Sequence, residues 1–97
     1  MYEIGRQIKT QPIKGLQVRK PLKNDALEVL SITLEKGSEF PEHTSPRDAY
    51  LIVLEGAMDF FISGKRFSLE ALEEFSFPKD VIHRVEALED SRFLIIR

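Results

Sequence analysis

The sequence predicts an all-β fold, a jelly-roll-type barrel of about eight or more short antiparallel strands. Three observations predict it. Apolar residues recur with a period of two: Leu30, Ile32 and Leu34 alternate with Ser31 and Thr33, and Phe67 and Leu69 alternate with Arg66, Ser68 and Glu70. Turn-forming clusters punctuate the chain at Lys36-Gly37-Ser38, Glu55-Gly56, Ser63-Gly64-Lys65, Pro78-Lys79-Asp80 and Glu89-Asp90-Ser91. So many short strands in 97 residues would leave open sheet edges, and closure into a barrel or rolled double sheet removes most of them. An immunoglobulin-like sandwich is the alternative. It lacks specific support here, because the chain has no Trp and no Cys pair.

The elements follow in order. Residues 1–15 are expected as an N-terminal strand or arm, since Pro12 bars a long helix there. Strands are expected near Gln17–Leu22 and Leu27–Glu35. Ala49–Leu54 contains the longest unbroken apolar run, Tyr50 to Leu54, as in a strand buried on both sides or a short core strand. Ala57–Ile62, Arg66–Glu70, Phe75–Phe77, His83–Ala87 and Arg92–Ile96 complete the set. Leu69, Leu72 and Phe75 also fit one helical turn, but the segment is short and Glu70–Glu74 reads equally as a charged loop. The whole, 1–97, is expected to be a single domain.

The absence of cysteine excludes disulfides and thiolate metal sites, and it fits a reducing, cytoplasmic location. Arg6, Lys9, Lys14, Arg19 and Lys20 interrupt any secretory apolar region, and Tyr50–Leu54 is far too short to span a bilayer. Residues 1–23 hold six Lys/Arg and one Glu, whereas 24–97 hold eight Lys/Arg and fifteen Asp/Glu. The simpler reading is solvated strand faces; the other is a basic arm lying on an acidic body, its own or a partner's. The acidic balance and the lack of a basic-aromatic stripe argue against nucleic-acid binding.

The chemistry centres on the two histidines. Gly37, His43 and Gly56 fit the first motif of a known family, G-x5-H-x-H-x3or4-E-x6-G, and Pro78 and His83 fit its second, G-x5-P-x-G-x2-H-x3-N. Through "YLIVLEG" and "FPKDVIHRV" the chain resembles the cupin superfamily, over roughly residues 16–97. The resemblance implies a small single-domain cupin barrel, commonly a homodimer paired through its sheets; the short basic N-terminal segment could cross to such a partner. It also implies a metal centre, but a degenerate one. The second histidine of the first motif falls on Ser45 and its glutamate on Ala49. The second motif's glycines fall on Leu72 and Asp80, and its asparagine on Ala87. Of the four usual ligands, His43 and His83 remain.

The residues themselves agree. Catalytic zinc takes three protein ligands, and non-heme iron wants two histidines and a carboxylate. His43 and Ser45 share a strand face, and Ser45 is a poor neutral ligand. Asp48 has the opposite parity to His43, so it completes a site only if Pro46 allows a bulge that turns it inward. Glu42 is expected to face solvent. His43 and His83, forty residues apart, are expected to meet inside the barrel. With Ser45 and Tyr50 they are the candidate ligand-binding residues, and the pair alone is the candidate metal site. Such a pair could hold a divalent transition metal (Zn, Ni, Cu, Fe or Mn) weakly. The leading expectation is a small-molecule-binding barrel with a degenerate metal site. One alternative is a metal-dependent or acid–base enzyme, an isomerase, epimerase or dioxygenase, using the two histidines. The other is a structural or regulatory module with a filled interior.

Overall fold

The computed structural model describes residues 1–97. Nine strands form two antiparallel sheets that roll into a jelly-roll barrel. They are β1 (Leu16–Lys23), β2 (Glu28–Leu34), β3 (Glu39–His43), β4 (Ala49–Glu55), β5 (Ala57–Ile62), β6 (Lys65–Glu70), β7 (Glu74–Phe77), β8 (His83–Ala87) and β9 (Ser91–Ile96). One sheet runs β1-β2-β9-β4-β7 and the other β3-β8-β5-β6. Every strand read from the sequence is present. The addition is β3, whose "EFPEH" offers little apolar alternation and carries Pro41, which cannot donate to a ladder.

The alternation sets the core. Leu30, Ile32 and Leu34 of β2, Leu51 and Val53 of β4, and Phe93 and Ile95 of β9 point inward from one sheet. Met58, Phe60, Val85 and Ala87 face them from the other. Each large side chain removed from water here contributes about 1.5–3 kcal/mol. The inside of the barrel is therefore mostly packed, with Phe60, Phe75 and Phe77 clustered at ring separations of 4.8 to 6.4 Å.

Residues before Leu16 form an arm with one helical turn, α1 (Gln7–Thr10), rather than a strand. The arm lies against its own chain. Gln11 is buried; its Nε2 donates to the carbonyls of Gln17 and Ser31, and its Oε1 accepts from the Ser31 hydroxyl at 2.6 Å. The Thr33 hydroxyl donates to the Pro12 carbonyl, also at 2.6 Å. Ser31 and Thr33 thus lie on the outer face of β2, as alternation demands, yet both are buried because the arm covers them.

Two irregularities shape the end of the barrel that matters below. Between Phe40 and His43 β3 spends three steps where β8 spends two, a bulge that contains Pro41. Between Arg19 and Leu22 the β1–β2 register also shifts, at Lys20-Pro21. No helix is long and apolar enough to cross a membrane.

Candidate functional site

His43 ends β3 and His83 begins β8, and the two are direct cross-strand partners. Their rings lie 4.2 Å apart, edge to face. The bulge at Pro41 puts Phe40 and His43 on the same side, and their rings stack at 4.1 Å. Phe60 stacks on His83 from within the barrel, and Phe77 packs against it at 4.6 Å.

Both imidazoles are oriented in the same way. His43 Nδ1 donates to the Pro41 carbonyl at 2.6 Å, and His83 Nδ1 to the Val81 carbonyl at 2.9 Å. A carbonyl can only accept, so Nδ1 carries the proton and the neutral ring keeps Nε2 as an acceptor. His83 is buried, and burial is the main cause holding its pKa below the ordinary 6.5. The charges of neighbouring His43 and Arg97 push the same way, while the bond to Val81 opposes them. His83 is accordingly neutral at pH 7.

The pair lines a cleft of about 230 Å³ at the mouth of the barrel, together with Phe40, Ser45, Lys20 and Arg97. A wider, more open depression of about 470 Å³ lies beyond His83, around Arg66 and the Ser63-Gly64 turn; His83 is the imidazole it shares with the cleft. Ser45 is buried, and its hydroxyl donates to the Arg47 carbonyl at 2.6 Å. Its position is fixed by the β7–β8 turn, where the Asp80 N–H donates to the Ser45 carbonyl.

Arg97 also lines the cleft, and it is not among the residues the sequence singled out. It follows β9 at the parity of Phe93 and Ile95, both of which face the core. That parity was a readable signal. Its Nε donates to Glu28 Oε1 at 2.8 Å, and Nη1 reaches the Ser45 hydroxyl at 3.3 Å. A guanidinium has five N–H donors. The remaining three have no acceptor within the chain.

Tyr50 does not reach this cleft. On β4 it alternates with the buried Ala49 and Leu51, so it faces outward, into a separate depression with Ser76 and Pro78. Asp48 does not turn inward either. It lines that same outer depression, and its Oδ1 accepts the Lys79 N–H at 3.0 Å. Glu42 is exposed and lines the wider depression.

The donor set does not fit a resident metal. No group of three His, Cys, Asp or Glu side chains converges anywhere in the chain. Where a third ligand would be needed, the cleft offers Ser45, already donating to a carbonyl, and the cation of Arg97. The guanidinium of Arg97 at this cleft disfavours a divalent cation and favours an anion, and an imidazole Nε2 beside it can take a hydroxyl of the same ligand.

Known structures share this architecture. A cupin superfamily protein from Desulfitobacterium hafniense superimposes with a TM-score of 0.86 at 12% identity, over 99% of this chain and 90% of that one. An RmlC-like cupin from Desulfovibrio desulfuricans gives 0.86 at 18% identity, over 99% and 95%. KdgF from Halomonas gives 0.78 at 24% identity, over 89% and 81%. At these identities the likeness is one of fold. No curated protein sequence matches the chain. The family model for the cupin domain matches residues 30–96, most of the barrel including both histidines, and the chain belongs to the cupin family.

Proposed function

We propose that this cupin barrel binds a small carboxylate-bearing molecule at its mouth, using Arg97 where the family's metal-bearing members use a cation. The observation that carries this reading is the state of Arg97. Glu28 fixes its Nε, Ser45 touches Nη1, and three N–H groups stay free beside two imidazoles. Arginine's planar fork matches a carboxylate, and a pre-positioned fork loses little entropy on binding. His43 and His83, each held at Nδ1 by a main-chain carbonyl, leave Nε2 available to a ligand hydroxyl. Phe40 and Phe77 supply apolar walls. At about 230 Å³ the cleft suits a molecule of few heavy atoms.

The acid–base enzyme reading needs a second proton-transfer group facing the histidines. Tyr50 and Asp48 point elsewhere, and Glu28 is tied to Arg97, Lys20 and Lys23. Binding is therefore the better-supported reading. The test is calorimetric titration of untagged protein, in the presence of EDTA, with propionate, glycolate and lactate. The expected result is saturable binding that Arg97→Gln weakens at least about tenfold, the loss of roughly 1.4 kcal/mol. No saturable binding in EDTA, or binding that survives Arg97→Gln undiminished, overturns the reading.

A homodimer is part of the proposal, on the strength of family membership. Sedimentation equilibrium should give twice the 11.2 kDa of one chain, and a single-chain mass at micromolar concentration counts against it.

A further inference from the structure

The positive charge around Arg97 exceeds what one carboxylate ligand would use. β1 carries Lys20 and Lys23 three residues apart, which an unbroken strand would place on opposite faces. The bulge at Pro21 brings both to Glu28 Oε2, at 3.9 and 3.8 Å. Arg97 occupies the other oxygen of the same carboxylate. Arg47 adds a further cation. Its hydrogen bonds go to main-chain oxygens, of Asp25 at 2.9 Å and of Arg97 at 3.5 Å, and it forms no ion pair with an Asp or Glu side chain. Asp25 forms no ion pair and sits in the exposed turn that Asn24 caps through the N–H groups of Ala26 and Leu27. One side-chain carboxylate, Glu28, thus pairs with Lys20, Lys23 and Arg97, and Arg47 lines the same groove without an acidic side-chain partner.

Lys23, Arg47 and Arg97 border a groove of about 250 Å³ that Asn24, Glu28 and Pro46 complete, while Lys20 lines the histidine cleft. It adjoins the histidine cleft through Pro46 and Arg97, which line both. Resting on the carboxylate-binding reading above, we propose that the groove is a second anion subsite and that the ligand is a small dianion. One acidic group takes the free N–H groups of Arg97 beside the histidines. The other lies between Lys23 and Arg47. The lysines are more than half exposed and their contacts with Glu28 are long, so they can turn to the ligand at little cost.

The test compares succinate, glutarate and adipate with their monomethyl esters by calorimetry in EDTA, at low and moderate salt. The best diacid should bind about tenfold tighter than its monoester, and its affinity should fall more steeply with salt. Lys23→Gln/Arg47→Gln should bring the diacid down to the level of the monoester while leaving the monoester within about twofold. Lys23→Gln alone, at a largely exposed side chain, should give part of that loss in a protein of unchanged melting temperature. Equal affinity for diacid and monoester, or a double variant that still prefers the diacid, overturns the second subsite and leaves the first standing. If neither compound binds, both readings fall.

Discussion

Glu28 and Arg97 face each other at the mouth of the barrel, joined by an Nε–Oε1 hydrogen bond of 2.8 Å and by reciprocal backbone hydrogen bonds that prolong the β2–β9 ladder. The side chains are 14% and 17% exposed, enough desolvation for the pair to matter and enough access for a ligand to reach the guanidinium. Arg97, through that hydrogen bond, holds the Glu28 carboxyl below its usual 4.5, against the opposing effect of burial.

Glu28→Gln keeps an acceptor for Arg97 and removes the negative charge. A lowered folded-state pKa stabilises the fold above the unfolded value of 4.5, and that stabilisation is lost as pH falls through the folded value. The variant should therefore lose about 1–2 kcal/mol at pH 7 by urea denaturation, a deficit that closes on acidification. Its affinity for a carboxylate ligand should rise, because the internal competitor is neutral. A fall in affinity would show that the charge on Glu28 is needed to hold Arg97 in place.

His83 predicts the opposite end of the acid limb. Its folded pKa is depressed, so the unfolded chain takes up the proton first. Stability is complete above the unfolded value of 6.5 and is lost as pH falls below it, levelling once the folded protein also protonates. Each unit of depression corresponds to about 1.4 kcal/mol. Urea midpoints should decline between pH 7 and 5 in the wild type, and His83→Gln should be less stable at pH 7 but flatter across that range.

Gly56 joins β4 to β5 at a φ of 90°, and an added Cβ would lie 2.7 Å from Ser91 Cα and closer still to the Asp90 carbonyl oxygen. Both the backbone conformation and the contact forbid a side chain. Gly56→Ala should cost about 3 kcal/mol or more, measured by denaturant unfolding.

Leu72 is the converse. It stands at a motif glycine, holds a φ of 69°, and leaves its side chain 81% exposed. Leu72→Gly should stabilise the protein by up to about 1 kcal/mol, because it relieves left-handed strain and gives up little burial. A lower melting temperature would mean that the side chain has a partner outside the chain.

The fold was legible because alternation is a local signal. Leu30, Ile32 and Leu34 read as one face regardless of what covers the other. What covered Ser31 and Thr33 was not legible, since Gln11 lies twenty residues away and only the folded arm brings it there. The histidine pair was found through motif spacing. β3 was hidden by Pro41, and the resulting bulge decides where His43 points. The direction of Tyr50 was not legible because an all-apolar strand gives no parity of its own; the buried Ala49 and Leu51 set it only once β4 has neighbours. Arg97 escaped because a charged residue at a strand end is ordinarily solvated, whereas here Glu28 and Ser45 hold it at the cleft.

The central claim, that a fixed guanidinium and two imidazoles bind an anion in place of a metal, is tested most directly by imidazole nitrogen NMR. Metal-free protein would be titrated with glycolate and, separately, with zinc chloride. The account predicts that glycolate shifts the Nε2 resonances of His43 and His83 with one-to-one stoichiometry, and that zinc yields no stoichiometric complex. One equivalent of zinc held by both imidazoles, with glycolate leaving both resonances unmoved, would contradict it.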